Sequence, residues 1–348
     1  MSMQKVVWQE GMLLRPQHFQ QNDRYYEQQL KSRTQKLISH AWGFFNLEID
    51  AQFLNMGKLV ISHASGVLPD GSLFEIGNEK EPLAVDVPPN TNSTPVYLAL
   101  PLVTSNHVET RRPNQKDVLA RFTAHETEVA DSNAGDSSAS QVSCAQPAFR
   151  LLLGQHPNEQ AFVRLQICEI QDSTPDAVIS LNPEYVPTYL HSHASSYLLS
   201  CMKEVVSMLA HRGDMLAERI RATGKMGSAE VGDFMMLQLI NRCEPVLRHL
   251  LNMEQVHPEQ IYRELLAMLG ELSTYASDSK RPKHDSRYQH SDQGQSFRKL
   301  MDAIRQVLSM VLEQHAVELP LQQRQYGIKV SPINDPKLLG SASFVLAA

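Results

Sequence analysis

The apolar residues of this chain change their spacing close to residue 181, and this change limits the possible folds more than any other feature of the sequence. Before it, apolar residues stand in short or alternating runs between turn residues; after it, they recur at steps of three and four. Alternation is the period of a strand, whereas steps of three and four keep residues on one face of a helix. The sequence therefore predicts a mainly β part followed by an α part.

Residues 42–180 are predicted to form an antiparallel β-sandwich, because turn residues separate the apolar runs and no helical pattern lies between them. The predicted strands are WGFFNLEI, KLVISHASGVL, SLFEIG, PLAVDV, VYLALPLV, DVLARFTAHETEV, FRLLLG and AFVRLQICEIQ. Within this region, residues 130–143 (ADSNAGDSSASQVS) carry too few apolar side chains to offset the entropy of ordering. We expect a mobile loop or disordered tip there.

Residues 181–318 are predicted to form a four-helix bundle of two helical hairpins, which begins after Pro183 and Pro187. A polar linker, residues 277–293, separates the third helix from the fourth. The apolar seams of the four helices are Leu198, Met202, Val205 and Leu209; Met235, Leu239, Val246 and Leu250; Ile261, Leu265, Met268, Leu272 and Tyr275; and Phe297, Leu300, Ile304, Val307 and Val311.

Several helices also carry apolar residues beside their seam, such as Leu266 and Leu269 in the third helix and Leu308 and Leu312 in the fourth. A single bundle needs about three apolar positions in seven. Two interpretations stay open at this point: a monomeric bundle with a large core, or burial of the extra side chains against other chains.

The last residues, 319–348, return to a strand-like composition and finish on SASFVLAA. A segment of this length is too short to bury a core of its own. We therefore expect it to be the start of a truncated C-terminal domain.

Composition and charge exclude some classes of partner. The chain has 348 residues, 32 of them basic and 38 acidic, and the net charge of -6 with no long basic block argues against nucleic acid. No apolar run approaches the roughly 20 residues that cross a bilayer, and Glu10 and Arg15 interrupt any signal-peptide pattern. The four cysteines show no spacing typical of zinc or redox sites. We expect a cytoplasmic protein without direct membrane insertion.

Residues suited to catalysis are sparse. His191 and His193 form an H-x-H pair that suggests either a metal site or surface and capping histidines, but it lies where a helix begins, and such a pair does not share a helix face. The glycine-rich residues 224–232 join two helices, so they indicate a hairpin connection and not a phosphate loop. We predict no catalytic residue, no cofactor and no metal.

The N-terminal segment, residues 1–41, is the strongest functional signal in the sequence. It opens with Trp8, Leu13, Leu14 and Phe19, although chain ends are usually polar and frayed. Either the segment packs Trp8, Leu13 and Leu14 onto the sandwich of its own chain, or it is an extended arm over residues 7–19 that carries apolar anchors to a neighbour. Both interpretations can hold together.

The same segment carries a family resemblance. VVWQEGMLLRPQHFQQNDRYYE resembles the opening of the TssK family, the baseplate adaptors of type VI secretion systems, which are contractile machines related to phage tails. LNPEYVPTYL resembles the family's junction between its β-sandwich shoulder and its helical neck, with Thr188 in place of a second proline after Pro187. The residues that match the opening motif are Trp8, Gly11, Met12, Leu14, Pro16, Gln17, His18 and Phe19.

The resemblance implies a cytoplasmic homotrimer without enzymatic activity, located at the baseplate near the inner membrane. It implies that the shoulder binds the TssF and TssG wedge, and that a C-terminal head, largely missing here, reaches the membrane complex of TssJ, TssL and TssM. A protein lacking this head is expected to join the baseplate without tethering it. The rival functions are a phage-type receptor-binding fibre that recognises glycans and a hydrolase within the sandwich.

Two sets of residues are the predicted interaction sites. The arm is expected to bind the wedge or to dock on the shoulder through Val7, Trp8, Gly11, Met12, Leu14, Arg15, Pro16, Gln17, His18 and Phe19. The neck is expected to form the trimer through Leu198, Met202, Val205, Leu209, Leu265, Met268, Leu272, Leu300, Ile304, Val307 and Val311.

Overall fold

The computed structural model describes residues 4–77, 82–103, 108–115, 118–133, 135–154, 158–223, 228–276, 280–282, 287–310, 321–324 and 329–333. The helices are α1 (Pro16–Leu37), α2 (Ala51–Leu54), α3 (Ser196–Thr223), α4 (Ser228–Asn252), α5 (Pro258–Ala276) and α6 (Gln293–Met310). The strands are β1 (Gly43–Ile49), β2 (Lys58–Val67), β3 (Leu73–Ile76), β4 (Leu83–Asp86), β5 (Thr94–Pro101), β6 (Thr110–Arg111), β7 (Phe122–Asp131), β8 (Gly135–Pro147), β9 (Arg150–Leu153), β10 (Phe162–Ser173), β11 (Ile179–Leu181), β12 (Gln322–Gln323) and β13 (Lys329–Val330).

Two four-stranded antiparallel sheets form the core of the β part, and β6, β7 and β8 form a separate three-stranded sheet in which β6 runs parallel to β7. In the first, β2 pairs with β1 on one edge and with both β3 and β4 on the other; the second has the order β11-β10-β5-β9. The two sheets contribute to one buried hydrophobic cluster, with Leu59, Ile61 and Phe74 from the first sheet and Leu98, Leu165 and Ile167 from the second. The prediction of antiparallel sheets followed by helices is confirmed.

The predicted loop at residues 130–143 is wrong. From Gly135 onward this stretch is strand β8, which pairs antiparallel with β7, so that Val129 lies opposite Ser140 and Thr127 opposite Val142. The backbone ladder holds the hairpin together, while Val129 and Val142 themselves remain exposed. The polar composition therefore reflects a hairpin that lies largely outside the hydrophobic core, and not an absence of structure.

Helices α3 to α6 form the α part, and each of them packs against two others: α3 against α4 and α6, and α5 against α4 and α6. Because α5 has two helical neighbours, it buries apolar residues beside its predicted seam as well as within it. Leu269, beside the seam, is 2% exposed, and Leu265, within it, is 0% exposed. The extra apolar residues on this helix are thus used within the chain, as the monomeric interpretation expected. The sheets and these helices belong to one continuous buried cluster.

Helix α4 buries only part of its predicted seam, since Leu239 and Leu250 face the core as expected and Met235 and Val246 do not. Met235 and Val246 are exposed, whereas the buried residues of the helix are Met236, Leu239, Ile240, Cys243, Leu247 and Leu250. The helix is apolar over a wide arc, and packing against α3 and α5 selects the part of that arc that faces inward. An apolar strip is consequently left on the outside. Pro245 lies inside the helix without ending it.

The β part and the α part are joined through the segment that follows β11. The Phe44 amide donates to the Thr188 carbonyl (2.8 Å), and the Leu190 amide donates to the Phe44 carbonyl (2.8 Å). Gly43 has a φ of +139°, and a Cβ there would lie 2.6 Å from the Thr188 oxygen, so only glycine allows this approach. The segment thus runs along the first sheet before it enters α3.

Gln293, the first residue of α6, secures the other side of this segment. Its Oε1 accepts from the Tyr189 amide (3.1 Å) and its Nε2 donates to the Tyr189 carbonyl (2.8 Å). The Gln293 side chain is fully buried, so these bonds replace water for both backbone groups of Tyr189. One amide side chain therefore ties the helical part to the segment that borders the sheet.

Three stacked imidazoles lie at the same junction. The His290 ring is stacked on His40 (4.8 Å between centroids) and on His257 (5.3 Å), and His290 Nε2 lies 2.6 Å from the Trp42 carbonyl oxygen. Burial lowers the pKa of His290 to about 4, and burial also lowers the pKa of His257. His290 belongs to the predicted polar linker, residues 277–293. The polar composition of that linker did not predict that His290 and Gln293 at its end are buried.

Replacement of Gln293 tests the junction. Gln293→Leu should lower the free energy of unfolding by about 2 to 4 kcal/mol, because it leaves the buried amide and carbonyl of Tyr189 without partners. Urea or thermal unfolding measures the change. Gln295→Leu is the matched control, since Gln295 is exposed on the same helix, and an equal loss in the two variants would contradict the assignment.

The pH dependence of stability tests the imidazole stack. Because the folded pKa of His290, about 4, lies below its ordinary value near 6.5, stability should be complete above pH about 6.5 and should fall progressively toward pH 4. The loss attributable to His290 is on the order of 3 kcal/mol. His290→Gln should flatten the profile measured by urea unfolding between pH 4 and pH 7, whereas His249→Gln, at an exposed site on α4, should leave it unchanged. Parallel profiles for the wild type and His290→Gln would refute this role.

Candidate functional site

The N-terminal segment consists of an arm without regular secondary structure, residues 4–15, followed by α1. Pro16 suits the first helical position, because its fixed φ is helical and its missing N–H needs no partner there. Before it, the Arg15 amide donates to His18 Nδ1 (3.0 Å), and the His18 amide donates to the Arg15 carbonyl (3.0 Å). Residues 16–19 are therefore the first turn of a helix, which corrects the expectation of an extended arm up to residue 19.

A turn bends the arm before it reaches the helix. The Met12 amide donates to the Gln9 carbonyl, and the Gln9 amide donates to Met12 Sδ, both at 3.4 Å. Gly11 sits in this turn with a φ of +77°, a conformation that L side chains rarely adopt. No atom lies within 4 Å of the position of a Cβ on Gly11, so backbone conformation alone favours glycine here.

Side-chain contacts hold the arm against the start of α1. The Trp8 ring lies 6.3 Å from the His18 ring and 6.2 Å from the Phe19 ring, between centroids. Gln21 Nε2 donates to the Gln4 carbonyl (2.7 Å). The arm thus has a defined position on the helix that follows it.

The apolar side chains of the arm nevertheless remain exposed to solvent. Trp8 keeps 47% of its surface, and Val7, Leu13, Leu14 and Phe19 keep more than half of theirs. One interpretation of the sequence expected Trp8, Leu13 and Leu14 to be buried on the sheets of the same chain. The structure does not bury them there. Arg15, Pro16 and Gln17 are exposed as well, whereas Met12 and His18 are half-buried. A role of these residues in binding stays a prediction.

The predicted trimer residues lie inside one chain. Leu198, Met202, Val205, Leu209, Leu265, Met268, Leu272, Leu300 and Ile304 are buried within the bundle, Val307 is half-buried, and Val311 lies outside the described residues. A side chain buried in its own bundle has no surface to offer another copy, so any effect on assembly would act through the bundle. Their part in oligomerisation is not tested by a single chain and stays a prediction.

The exposed apolar surface of the α part lies instead on α3 and α4. We define the α4 strip as Val231, Met235 and Val246, which share one side of α4 and are exposed, together with Met253 directly after the end of the helix. Met215 on α3 and Phe234 on α4 are exposed too. Sequence reasoning assigned Met235 and Val246 to the core. Packing against α3 and α5 decides which apolar residues of this helix are buried. The spacing of those residues in the sequence does not reveal this packing.

The described residues give little support to catalytic or metal chemistry. His193 Nε2 lies 2.9 Å from the Leu251 carbonyl oxygen, and His191 is stacked on Phe45. Among the described ranges no group of three or more His, Cys, Asp or Glu is placed to hold a metal ion. Burial raises the pKa of the Cys168 thiol to about 12 and that of Cys243 to about 11, opposite to the shift that a nucleophilic thiolate requires.

Across the part of the chain that the structure describes, none of the helices combines the length and apolar character needed to cross a bilayer.

Comparison with known proteins identifies the family. A family model described as "Bacterial Type VI secretion, VC_A0110, EvfL, ImpJ, VasE" matches residues 18–348. The chain is also 37% identical, over 343 residues, to the type VI secretion system baseplate component TssK1 of Pseudomonas aeruginosa; the alignment covers 98% of this chain and 77% of that protein. This chain belongs to the TssK family.

Solved structures agree with this assignment. A crystal structure of TssK is similar with a TM-score of 0.84 and 30% identity, over 97% of this chain and 77% of that one. A chain in the TssK-TssF-TssG baseplate subcomplex has a TM-score of 0.75 and 23% identity, over 88% of this chain and all of the other, a level of identity that supports the fold alone. The resemblance of this sequence to the TssK family is thus confirmed. The family relationship also confirms that the protein is a component of the type VI secretion baseplate.

Proposed function

We propose that this TssK protein is a non-enzymatic adaptor that binds a TssF and TssG wedge through its β part and N-terminal arm. Its relative TssK1 is a baseplate component, and a protein with this fold has been solved in a complex with TssF and TssG. The observation that carries the proposal is the arm itself: Val7, Trp8, Leu13 and Leu14 are exposed although the backbone beneath them is held in place.

The physical argument rests on the cost of ordering a chain end. Fixing a residue's backbone costs about 1 to 2 kcal/mol, and an exposed Trp or Leu recovers little of that cost in the free protein. Burial of an aromatic side chain in a partner's pocket contributes several kcal/mol, which makes Trp8 the expected centre of the interface. The helix cap at Arg15 and His18 and the stacking of Trp8 reduce the entropy still to be lost on binding.

The proposal extends to two further properties that family membership supports. The protein acts in the cytoplasm as a homotrimer, and a C-terminal head domain, distinct from the shoulder and the neck, makes the link to a membrane complex of TssJ, TssL and TssM. For the trimer, we assign the contact between copies to the α4 strip, since these side chains are apolar, lie on one side of the helix and are exposed in the single chain. Closed cyclic symmetry would cover such a surface completely.

Substitution of Trp8 tests the arm. Trp8→Ala and deletion of residues 1–18 should each weaken capture of a TssF–TssG complex, by roughly 10- to 100-fold for Trp8→Ala, with an unchanged melting temperature. Biolayer interferometry and thermal unfolding measure the two effects. Leu73→Ala is the matched control, because Leu73 is equally apolar and 75% exposed on β3. If the variants still bind the TssF–TssG complex but melt at a lower temperature, the arm stabilises its own chain and does not bind the wedge.

A charge on the α4 strip tests the trimer. Met235→Glu should give a folded protein with the mass of one chain, because Met235 is exposed in the monomer and would be buried only between copies. Leu265→Glu should instead unfold the bundle, since Leu265 is buried within the chain. Light scattering coupled to size exclusion measures the mass, and Asn241→Glu is the control for an added charge on α4 away from the strip. A wild type that is monomeric at micromolar concentration, or a trimeric Met235→Glu variant, would exclude this surface.

A further inference from the structure

Helix α1 contacts the β part through polar side chains. Arg24 pairs with Glu109 (3.4 Å), and Gln35 Nε2 donates to the Pro69 carbonyl (3.4 Å) in the turn between β2 and β3. No residue of α1 is buried, and both members of the ion pair are more than one third exposed. Exposed ion pairs contribute little to stability, so the position of α1 depends largely on the loop that follows it.

We define the clasp loop as residues 38–42, which connect α1 to β1. The His40 ring stacks on the His290 ring (4.8 Å between centroids), and the Trp42 ring meets the same ring edge-on (4.8 Å). His290 Nε2 donates to the Trp42 carbonyl (2.6 Å), and His257 Nε2 donates to the His40 carbonyl (3.3 Å). Two rings and two carbonyls of the clasp loop therefore contact the segments that open α5 and α6.

The hydrogen bonds of these two imidazoles hold both of them in the neutral form. Because a carbonyl oxygen only accepts, Nε2 of each ring carries the proton, and Nδ1 is left as an acceptor. His290 Nδ1 faces Gln293 Nε2 (3.4 Å), a donor that also bonds the Tyr189 carbonyl. His257 Nδ1 accepts from the Glu259 amide (3.1 Å). A proton added to either Nδ1 would therefore point at an N–H group.

The surroundings of the two rings do little to stabilise a positive charge. Both rings lie just before a helix, α5 or α6, and the partial positive charge of a helix N-terminus disfavours an imidazolium. Burial lowers the pKa of His290 to about 4, and it outweighs the Glu259 carboxylate and lowers the pKa of His257 as well. Besides each other, the titratable groups that face the two rings are Tyr288, His40, His191 and Glu259.

We propose that the clasp loop is a proton-sensitive latch for α1: uptake of a proton by His290 lifts the loop from the starts of α5 and α6 and releases α1 as one unit. Lifting the loop exposes His290 to water and separates it from the His40 ring. His40 also has a φ of +60°, which L side chains rarely adopt, so release relieves backbone strain.

The latch acts on the direction of α1 and not on the core of the chain. Tertiary packing supplies most of the stability of a helix in a protein, so the backbone hydrogen bonds of a released α1 open more often. The sheets and the four long helices keep their shared buried cluster, which contains no residue of α1. The inference concerns how the N-terminal segment is held, and it does not depend on what the arm binds.

Amide hydrogen exchange of the full chain at pH 7.5 and pH 5 tests the latch, with rates corrected for the intrinsic effect of pH. If α1 opens only when the clasp loop lifts, each opening returns His290 to its ordinary pKa. Protection of the α1 amides should then fall about 25-fold from pH 7.5 to pH 5, the factor given by pKa values of about 4 closed and near 6.5 open. It should stay below the protection of β2 at both pH values, because the core remains folded.

Three substitutions separate the latch from other causes. His290→Gln keeps an N–H for the Trp42 carbonyl but takes up no proton, so α1 protection should change with pH by about threefold or less. His249→Gln removes an exposed histidine of α4 and should keep the wild-type change. His40→Asn tolerates the same positive φ without the stacked ring, and it should lower α1 protection at pH 7.5 about tenfold.

Several results would overturn the latch. Protection of α1 that is unchanged between the two pH values, or absent at both, shows that α1 opens without the clasp loop. Protection equal to that of β2 shows that α1 opens only when the whole chain unfolds. An equal fall in the wild type and in His290→Gln assigns the pH effect to another group, and unchanged α1 protection in His40→Asn removes the stacked ring from the mechanism.

Discussion

The pairing of Gln293 with Tyr189 is the interaction on which the arrangement of the two parts depends. The segment that contains Tyr189 bonds to Phe44 of the first sheet on one side and to the Gln293 amide on the other. Both partners are buried, so their bonds have no competition from water. The imidazoles of His40, His257 and His290 surround the same point and bring in the loop before β1 and the starts of α5 and α6.

The exposed apolar side chains lie outside a core that the two parts share. The sheets and the four long helices contribute to one buried cluster, and the exposed apolar side chains of the arm and of the α4 strip are not part of it. Trp8 is 47% exposed and Met235 is 52% exposed, while the other side of α4 packs against α3 and α5. This separation of the core from exposed apolar surface suits a component of a multiprotein baseplate.

The histidine and cysteine side chains that could suggest catalysis or metal binding have structural roles. His193 contacts the Leu251 carbonyl, His290 contacts the Trp42 carbonyl, and the thiols of Cys168 and Cys243 are held protonated by burial. The buried ion pair of Arg121 and Asp70 is likewise complete, because Arg121 also donates to Ser72 and to the Pro101 carbonyl. These groups hold turns and junctions of the fold together.

The sequence by itself determined the order of strands and helices and the family, because alternation, steps of three and four, and the residues from Trp8 to Phe19 are local properties of the chain. It also predicted that Leu265 and Ile304 are buried, since each has seam residues three or four positions away on both sides. Only the tertiary structure decided that residues 135–143 pair as a strand, that Met235 faces solvent, that His290 is buried, and that α1 turns Leu30 outward. In each of these cases the sequence fits more than one arrangement, and the choice depends on contacts between residues far apart in the chain.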